Sequence, residues 1–206
     1  MSEKSNTTGD LQLIDRFVES WAKLDDLWTF PDLDPVAVKL SCAETPASGG
    51  FAWCPRRCRT DRSALSALYA WLPAPLPPLY EQLILGYRWA EVDLRRVRLL
   101  ANPPGPDLSR LGDEIRKDKG LAAPLLSNGF VQFGRSSGPN YDPVCFDTRK
   151  KRPDGECRIV RLDHEAILQF SHTQAVEEVA PTFRSLVRGI IEDAHRTPSQ
   201  ITPPFA

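Results

Sequence analysis

Proline placement constrains this chain more than any other feature. Proline supplies 19 of its 206 residues, about 9% against a usual ~5%, and each one fixes φ and removes a backbone donor. The chain must therefore be built from elements joined by stiff, extended connections. Pro73, Pro75, Pro77 and Pro78 fall in one elbow, Pro103, Pro104 and Pro106 in a second, and Pro181 opens a helical pattern. With 41% hydrophobic residues and 26 basic against 27 acidic groups, this is a globular domain rather than a disordered chain. A chain of this length buries roughly 70% of its unfolded surface, enough for a core without disulfides or metal. Residues 1–103 carry 12 basic and 13 acidic groups, and the rest 14 of each. Neither half is a polybasic nucleic-acid arm or an acidic tail.

The opening Met-Ser-Glu-Lys-Ser-Asn-Thr-Thr-Gly-Asp has no apolar core and no small-residue cleavage pattern. A secretory signal is not expected there, and a cytoplasmic location is. The longest uncharged stretch, Ser63 to Tyr80, contains four prolines and reads as an elbow, not a membrane span. The five cysteines, Cys42, Cys54, Cys58, Cys145 and Cys157, are an odd number in such a chain. Reduced thiols and no structural disulfide are the expectation.

Between Asp10 and Leu27 the apolar positions Leu11, Ile14, Phe17, Val18, Trp21 and Leu24 recur at three and four residues. That period predicts a first amphipathic helix with Asp10 as its N-cap and Pro31 just beyond its end. Residues 31–62 show no sustained period, apart from a strand-like run at Val36 to Leu40, and read as irregular surface chain. Asp61 or Ser63 caps a short helix through Trp71. After the elbow, Pro77 and Pro78 open a second helix whose buried face is Leu79, Leu83, Ile84 and Tyr87. A strand-like run, Val97 to Leu100, precedes the second elbow. Leu108 to Lys119 predicts another helix, stopped by Gly120.

The second half changes character. Phe130 to Phe133, Tyr141 to Asp147 and Cys157 to Leu162 are rich in aromatic and β-branched residues and read as strands. The last two form an antiparallel hairpin closed through Pro153-Asp154-Gly155. Ala166 to Phe170 predicts a short helix, and Phe183, Leu186, Val187, Ile190 and Ile191 mark a final one. The organisation expected is an N-terminal helix and irregular segment over 1–60, an α+β domain over 61–196, and a flexible tail over 197–206.

Few residues offer chemistry. Cys54-Pro-Arg-Arg-Cys58, with Cys42 upstream, supplies three thiolates, but no second tight Cys or His pair completes a zinc site. Gly134-Arg-Ser136-Ser-Gly138 matches the nucleophile-elbow string, and Asp147, Asp163, His164 and His172 follow in triad order. A strand rather than a helix is expected after it, however, and no glycine-rich oxyanion loop lies upstream. His164-Glu165 begins a zinc-protease motif that Leu168 breaks. It reads instead as the first turn of a helix capped by Asp163. No phosphate-binding loop or dinucleotide fingerprint occurs. Two basic clusters remain. Arg56, Arg57, Arg59 and Arg62 lie near Trp53, and Arg149, Lys150, Lys151 and Arg152 lie at the hairpin tip. Near-zero net charge favours an acidic protein over RNA or DNA as their partner.

Two stretches together resemble the SUKH superfamily, which includes the yeast cell-wall-assembly regulators and many bacterial toxin-immunity proteins. One is Ser66 to Tyr87, similar to that family's helix, Leu-Pro elbow and following helix ending in tyrosine. The other is Tyr141 to Asp147 followed by Arg158 to Glu165 and Ile167, similar to its hairpin and closing helix. Pro181 to Val187 resembles its late helix. Where members often place Asn-Gly after the helix tyrosine, this chain has Arg88-Trp89. The resemblance implies an α+β fold, a mostly antiparallel sheet with helices packed around it. It also implies a non-enzymatic protein-binding role without cofactor or metal, as a toxin-neutralising immunity protein or a regulatory interaction module. The candidate contact residues are Trp53, Arg56, Arg57, Arg59, Trp89, Tyr141 and Asp147. The rivals are a small serine hydrolase using Ser136 and a zinc- or nucleic-acid-binding protein.

Overall fold

The computed structural model describes residues 3–25, 27–29, 34–42, 50–137 and 140–196, with 3–7 by backbone alone. Pro31, Gly138 and the tail from Pro198 lie outside the described residues.

The helical period after Asp10 belongs to α1, Glu3–Ser20, which begins earlier than expected and passes into a 3-10 turn at Trp21–Lys23. Asp10 is therefore not an N-cap. It lies within the helix, buried, with its Oδ1 accepting from Arg184 Nη1 at 2.8 Å. Ile14, Phe17 and Trp21 form the buried stripe.

Val36 to Leu40 is not a strand either. Asp34 Oδ1 accepts from Val36 N (2.8 Å) and Ala37 N (3.0 Å), and Pro35 occupies the first turn of α2, Pro35–Val38. Cap and proline outweigh the β-branched side chains. Around it, β1 (Trp28–Thr29) pairs with β2 (Phe51–Ala52), and Ser41 pairs with Trp53. That pairing brings Cys42 and Cys54 to a Cα separation of 5.6 Å, where they are disulfide-bonded. The expectation of five reduced thiols is thus corrected: Cys58, Cys145 and Cys157 alone are free. The pairing is tertiary, so an odd count of cysteines could not reveal it.

The strand β3 (Arg56–Arg57) leads to a turn capped by Asp61, then α3 (Leu65–Tyr69), the proline elbow, and α4 (Pro78–Gly86). Pro77 and Pro78 open α4 as expected, and Leu79, Leu83 and Ile84 are buried. The chain continues through β4 (Tyr87–Arg88), β5 (Val92–Asp93) and β6 (Arg98–Leu99). The helix expected over Leu108 to Lys119 is two, α5 (Ser109–Arg116) and α6 (Lys119–Ser127). Gly120 does not stop the first. Asp118 caps the second by accepting from Gly120 N (3.0 Å) and Leu121 N (3.2 Å), and Gly120 lies in its opening turn.

Next come β7 (Phe130–Arg135), β8 (Pro143–Asp147), β9 (Ile159–Leu162), α7 (His164–Phe170), β10 (Ala175–Ala180) and α8 (Phe183–His195). The class is α+β. Strands β5 to β10 form one sheet in the order β10-β9-β8-β7-β6-β5, with every neighbouring pair antiparallel. The β8–β9 hairpin is as expected; β10 extends it. No described helix is long and apolar enough to cross a membrane.

Both faces of the sheet are covered, so all five positions of β8 are buried instead of alternating. On one face Phe133 stacks on Phe146 at 4.1 Å, and Tyr80 of α4 and Phe183 of α8 meet both edge-on. Each such ring contact adds about 0.5–1.5 kcal/mol beyond the area it buries. On the other face Leu121, Leu125 and Ile167 of α6 and α7 close over Phe130, Cys145 and Val160. The first face continues into α1 and the 3-10 turn after it, whose Phe17 and Trp21 reach Phe183 and Trp89 respectively. Residues before 61 therefore share the main core with the rest of the chain.

Candidate functional site

The first basic cluster is assembled by β3. Its pairing with β4 sets Arg56 opposite Arg88 and Arg57 opposite Tyr87, alongside α1 and the end of α4. Cys58 N donates to Gly86 O (2.8 Å) and Thr60 N to Leu85 O (3.1 Å), tying the segment down. A groove of about 780 Å³ lies here, lined by Leu11, Ile14 and Asp15 of α1, Arg57, Arg59, and Gln82 and Leu85 of α4.

Its polar groups are ordered. Arg57 Nη2 bonds to both Asp15 oxygens (3.0 and 3.1 Å), and its guanidinium sits 5.8 Å from the centre of the Tyr87 ring. Tyr87 OH donates to Asp15 Oδ1 at 2.7 Å. Burial, and then the carboxylate it serves, push that hydroxyl up to about 12, so it stays a donor at neutral pH. Arg56 and Arg59 project into solvent. Gln82 Oε1 is buried with no hydrogen-bond donor among the described residues.

Next to the groove, after Tyr87 on β4, Arg88 is buried, 3% exposed. Its Nη1 donates to Ile84 O (2.7 Å) and Tyr87 O (3.1 Å), and its Nη2 to Thr60 Oγ1 (2.5 Å). No carboxylate among the described residues bonds to it. A buried guanidinium held by carbonyls and a hydroxyl keeps positive charge under the surface, which Asp107 offsets in part through space without a hydrogen bond. The C-terminal carbonyls of α4 offset part of it, being the negative end of that helix.

The other sequence-derived contact residues are scattered. Trp53 and Trp89 are core residues, 3% and 0% exposed. Trp89 Nε1 donates to Leu100 O at 2.9 Å and its ring meets Trp21 edge-on at 5.7 Å. Neither ring is available to a partner. Asp147 is likewise fully buried, bonded by Arg149 (2.8 and 2.9 Å) and Arg158 (2.7 and 2.9 Å). Burial works to raise its carboxyl, but the two guanidinium groups prevail and hold it at about 2. The second basic cluster is thus partly structural: Arg149 is bound to Asp147, Lys151 Nζ to Pro75 O (2.8 Å), and Arg152 pairs with Asp154. Tyr141 is 54% exposed with Arg98 6.0 Å from its ring centre, and it does not line the groove.

Ser136 precedes β8, an antiparallel neighbour of β7, so its turn opens into a strand. Its Oγ is buried without a hydrogen-bond partner among the described residues. His164 Nδ1 bonds instead to Asp142 Oδ1 at 2.8 Å, a carboxylate the triad string did not include. A serine nucleophile needs its base within hydrogen-bond reach, and that bond is absent here. Asp142, Asp163 and His164 lie close enough together to ligate a cation. Arg161 Nη1 already occupies Asp142 at 2.5 Å, and Asp163 caps α7. Of the three thiolates proposed for zinc, two form the disulfide.

Sequence reasoning missed Asp15, Gln82 and Leu11 as groove residues. Leu11 belongs to the apolar helical period, yet it is 44% exposed and lines the groove with Arg57 and Arg59. Its displacement from the Ile14, Phe17, Trp21 stripe was the available sign. A second exposed apolar corner, Leu168, Phe170 and Val176, sits on α7 and β10. No protein-family model matches the chain, and no curated protein matches it either.

Proposed function

We propose that this chain is a non-enzymatic protein-binding module of the SUKH kind, whose groove between α1, β3 and α4 receives an acidic, partly apolar segment of a partner protein. The observation that carries the reading is a groove that Arg57 and Arg59 line together with Leu11 and Leu85, next to Arg88, a buried guanidinium that hydrogen-bonds to no carboxylate among the described residues. Positive charge in low-dielectric surroundings attracts an anion more strongly than the same charge in water. Leu11 and Leu85 supply the apolar contact, and Gln82 Oε1 an unused acceptor. The finer reading, a cytoplasmic immunity protein that occludes a toxin, rests on the family resemblance.

Charge reversal tests it. Titration calorimetry would measure the wild type and the double variant Arg56→Glu, Arg59→Glu against the protein encoded by the neighbouring reading frame. The proposal expects affinity to fall about tenfold or more in the variant, and the wild-type affinity to weaken with added salt. Equal affinities, or a salt-independent wild-type value, would refute it.

A further inference from the structure

A second cleft, on the other side of α1 from the groove, is built from three arginines. On α1 the spacing Gly9, Leu13, Arg16 places those residues on one helical face; on α8 Arg184, Arg188 and Ile191 do the same. The two faces enclose a cleft of about 550 Å³.

Its charges are not balanced by the protein. Arg184 Nη1 is fixed at 2.8 Å from buried Asp10, which neutralises it, and Arg184 lines the cleft. Arg16 and Arg188 are exposed and bond to no carboxylate among the described residues. Glu192 also lines the cleft and bonds to none of the three arginines, so three arginines face two carboxylates and a formal charge of +1 is left over. Two unpaired guanidinium groups facing one concave space repel each other, and a dianion between them removes that repulsion. Guanidinium forks match phosphate oxygens two at a time, which a single carboxylate would not saturate. Leu13 and Ile191 give the cleft an apolar part. At its Gly9 end a Cβ would meet nothing within 4 Å, so there is room beyond the phosphate. The volume lies within the ~300–1,000 Å³ typical of small-molecule sites and exceeds what a bare anion fills.

We infer that the α1–α8 cleft binds a phosphate monoester through Arg16, Arg184 and Arg188, whether carried by a soluble small molecule or by a lipid headgroup. This site is independent of the protein-binding groove. The test follows arginine Nε–Hε resonances while glycerol 3-phosphate is added at constant ionic strength. Saturable shifts with a Kd below about 1 mM are expected, weakened about tenfold or more in Arg16→Gln, Arg188→Gln. Both substitutions are at exposed positions, and an unchanged unfolding midpoint shows that the fold is intact. The Arg56→Glu, Arg59→Glu protein should bind glycerol 3-phosphate as the wild type does. Sedimentation with vesicles containing phosphatidylinositol 4-phosphate separates the two sources. Binding to vesicles that is lost in the Gln variant assigns the headgroup, and saturable soluble binding without sedimentation assigns a free ligand. Non-saturating shifts with no sedimentation, or a Gln variant that binds like wild type, would overturn the inference.

Discussion

Asp147 is a buried carboxylate that organises a hairpin end. It joins Arg149 on the following turn to Arg158 just before the return strand β9, and its Oδ1 also accepts from Arg149 N. Removing one member of such a cluster leaves the others charged and partly buried. Asp147→Ala should therefore cost about 3 kcal/mol, read from denaturant midpoints. A loss under about 1 kcal/mol would show that solvent compensates the two arginines. The pH dependence has a defined sign. The folded carboxyl titrates at about 2, below its ordinary 3.8. Its stabilisation is fully present above the unfolded value and is lost as pH falls through 3.8 toward 2. The Asp147→Ala protein should lack that part of the acid transition. The same residue also shows what a sequence motif can hide: a charged side chain near a basic cluster read as a contact, and the arginines around it were its own partners.

At the scale of elements, the disulfide is the sharpest departure from expectation. It closes a separation of 12 residues, for which chain entropy suggests about 3 kcal/mol. Thiol titration of unfolded, unreduced protein should find three reactive groups, and reduction should lower stability by about 2–3 kcal/mol. Five reactive groups would remove the cross-link from the account. What was legible elsewhere followed local physics. The aromatic and β-branched runs of β7, β8 and β9 and the period of α8 match their elements, because packing and propensity agree there. Where they disagreed, the reading failed. Pro35 and its Asp34 cap turned a valine-rich run into α2. Gly120 resembles a helix stop in sequence, but the Asp118 cap places it in the opening turn of α6. In β10 the Glu177-Glu178 pair broke the alternation, and Arg161 pairs with Glu177 across the edge. The arginines of the candidate site were visible as a cluster. Their groove was not, since Asp15 and Tyr87 meet across a separation of 72 residues.

Across the whole molecule, the six-stranded sheet is covered on both faces and leaves little of its own surface open, so the grooves lie among the helices packed around it. Helix α1 is central to that arrangement: its buried stripe joins the main core, and its flanks border the groove proposed for a partner protein on one side and the arginine cleft on the other. The competing surface is the α7–β10 corner, where Phe170 is 75% exposed. Exposed apolar side chains mark an interface when they are contiguous, whereas the groove combines apolar contact with fixed positive charge. Photo-crosslinking decides between them, with benzoylphenylalanine placed at Leu11 in one protein and at Phe170 in another, in cells of the source organism. The account predicts one specific cross-linked protein from Leu11, abolished by Arg56→Glu, Arg59→Glu, and none from Phe170. A product from Phe170 alone, or a Leu11 product indifferent to the charge reversal, would contradict it.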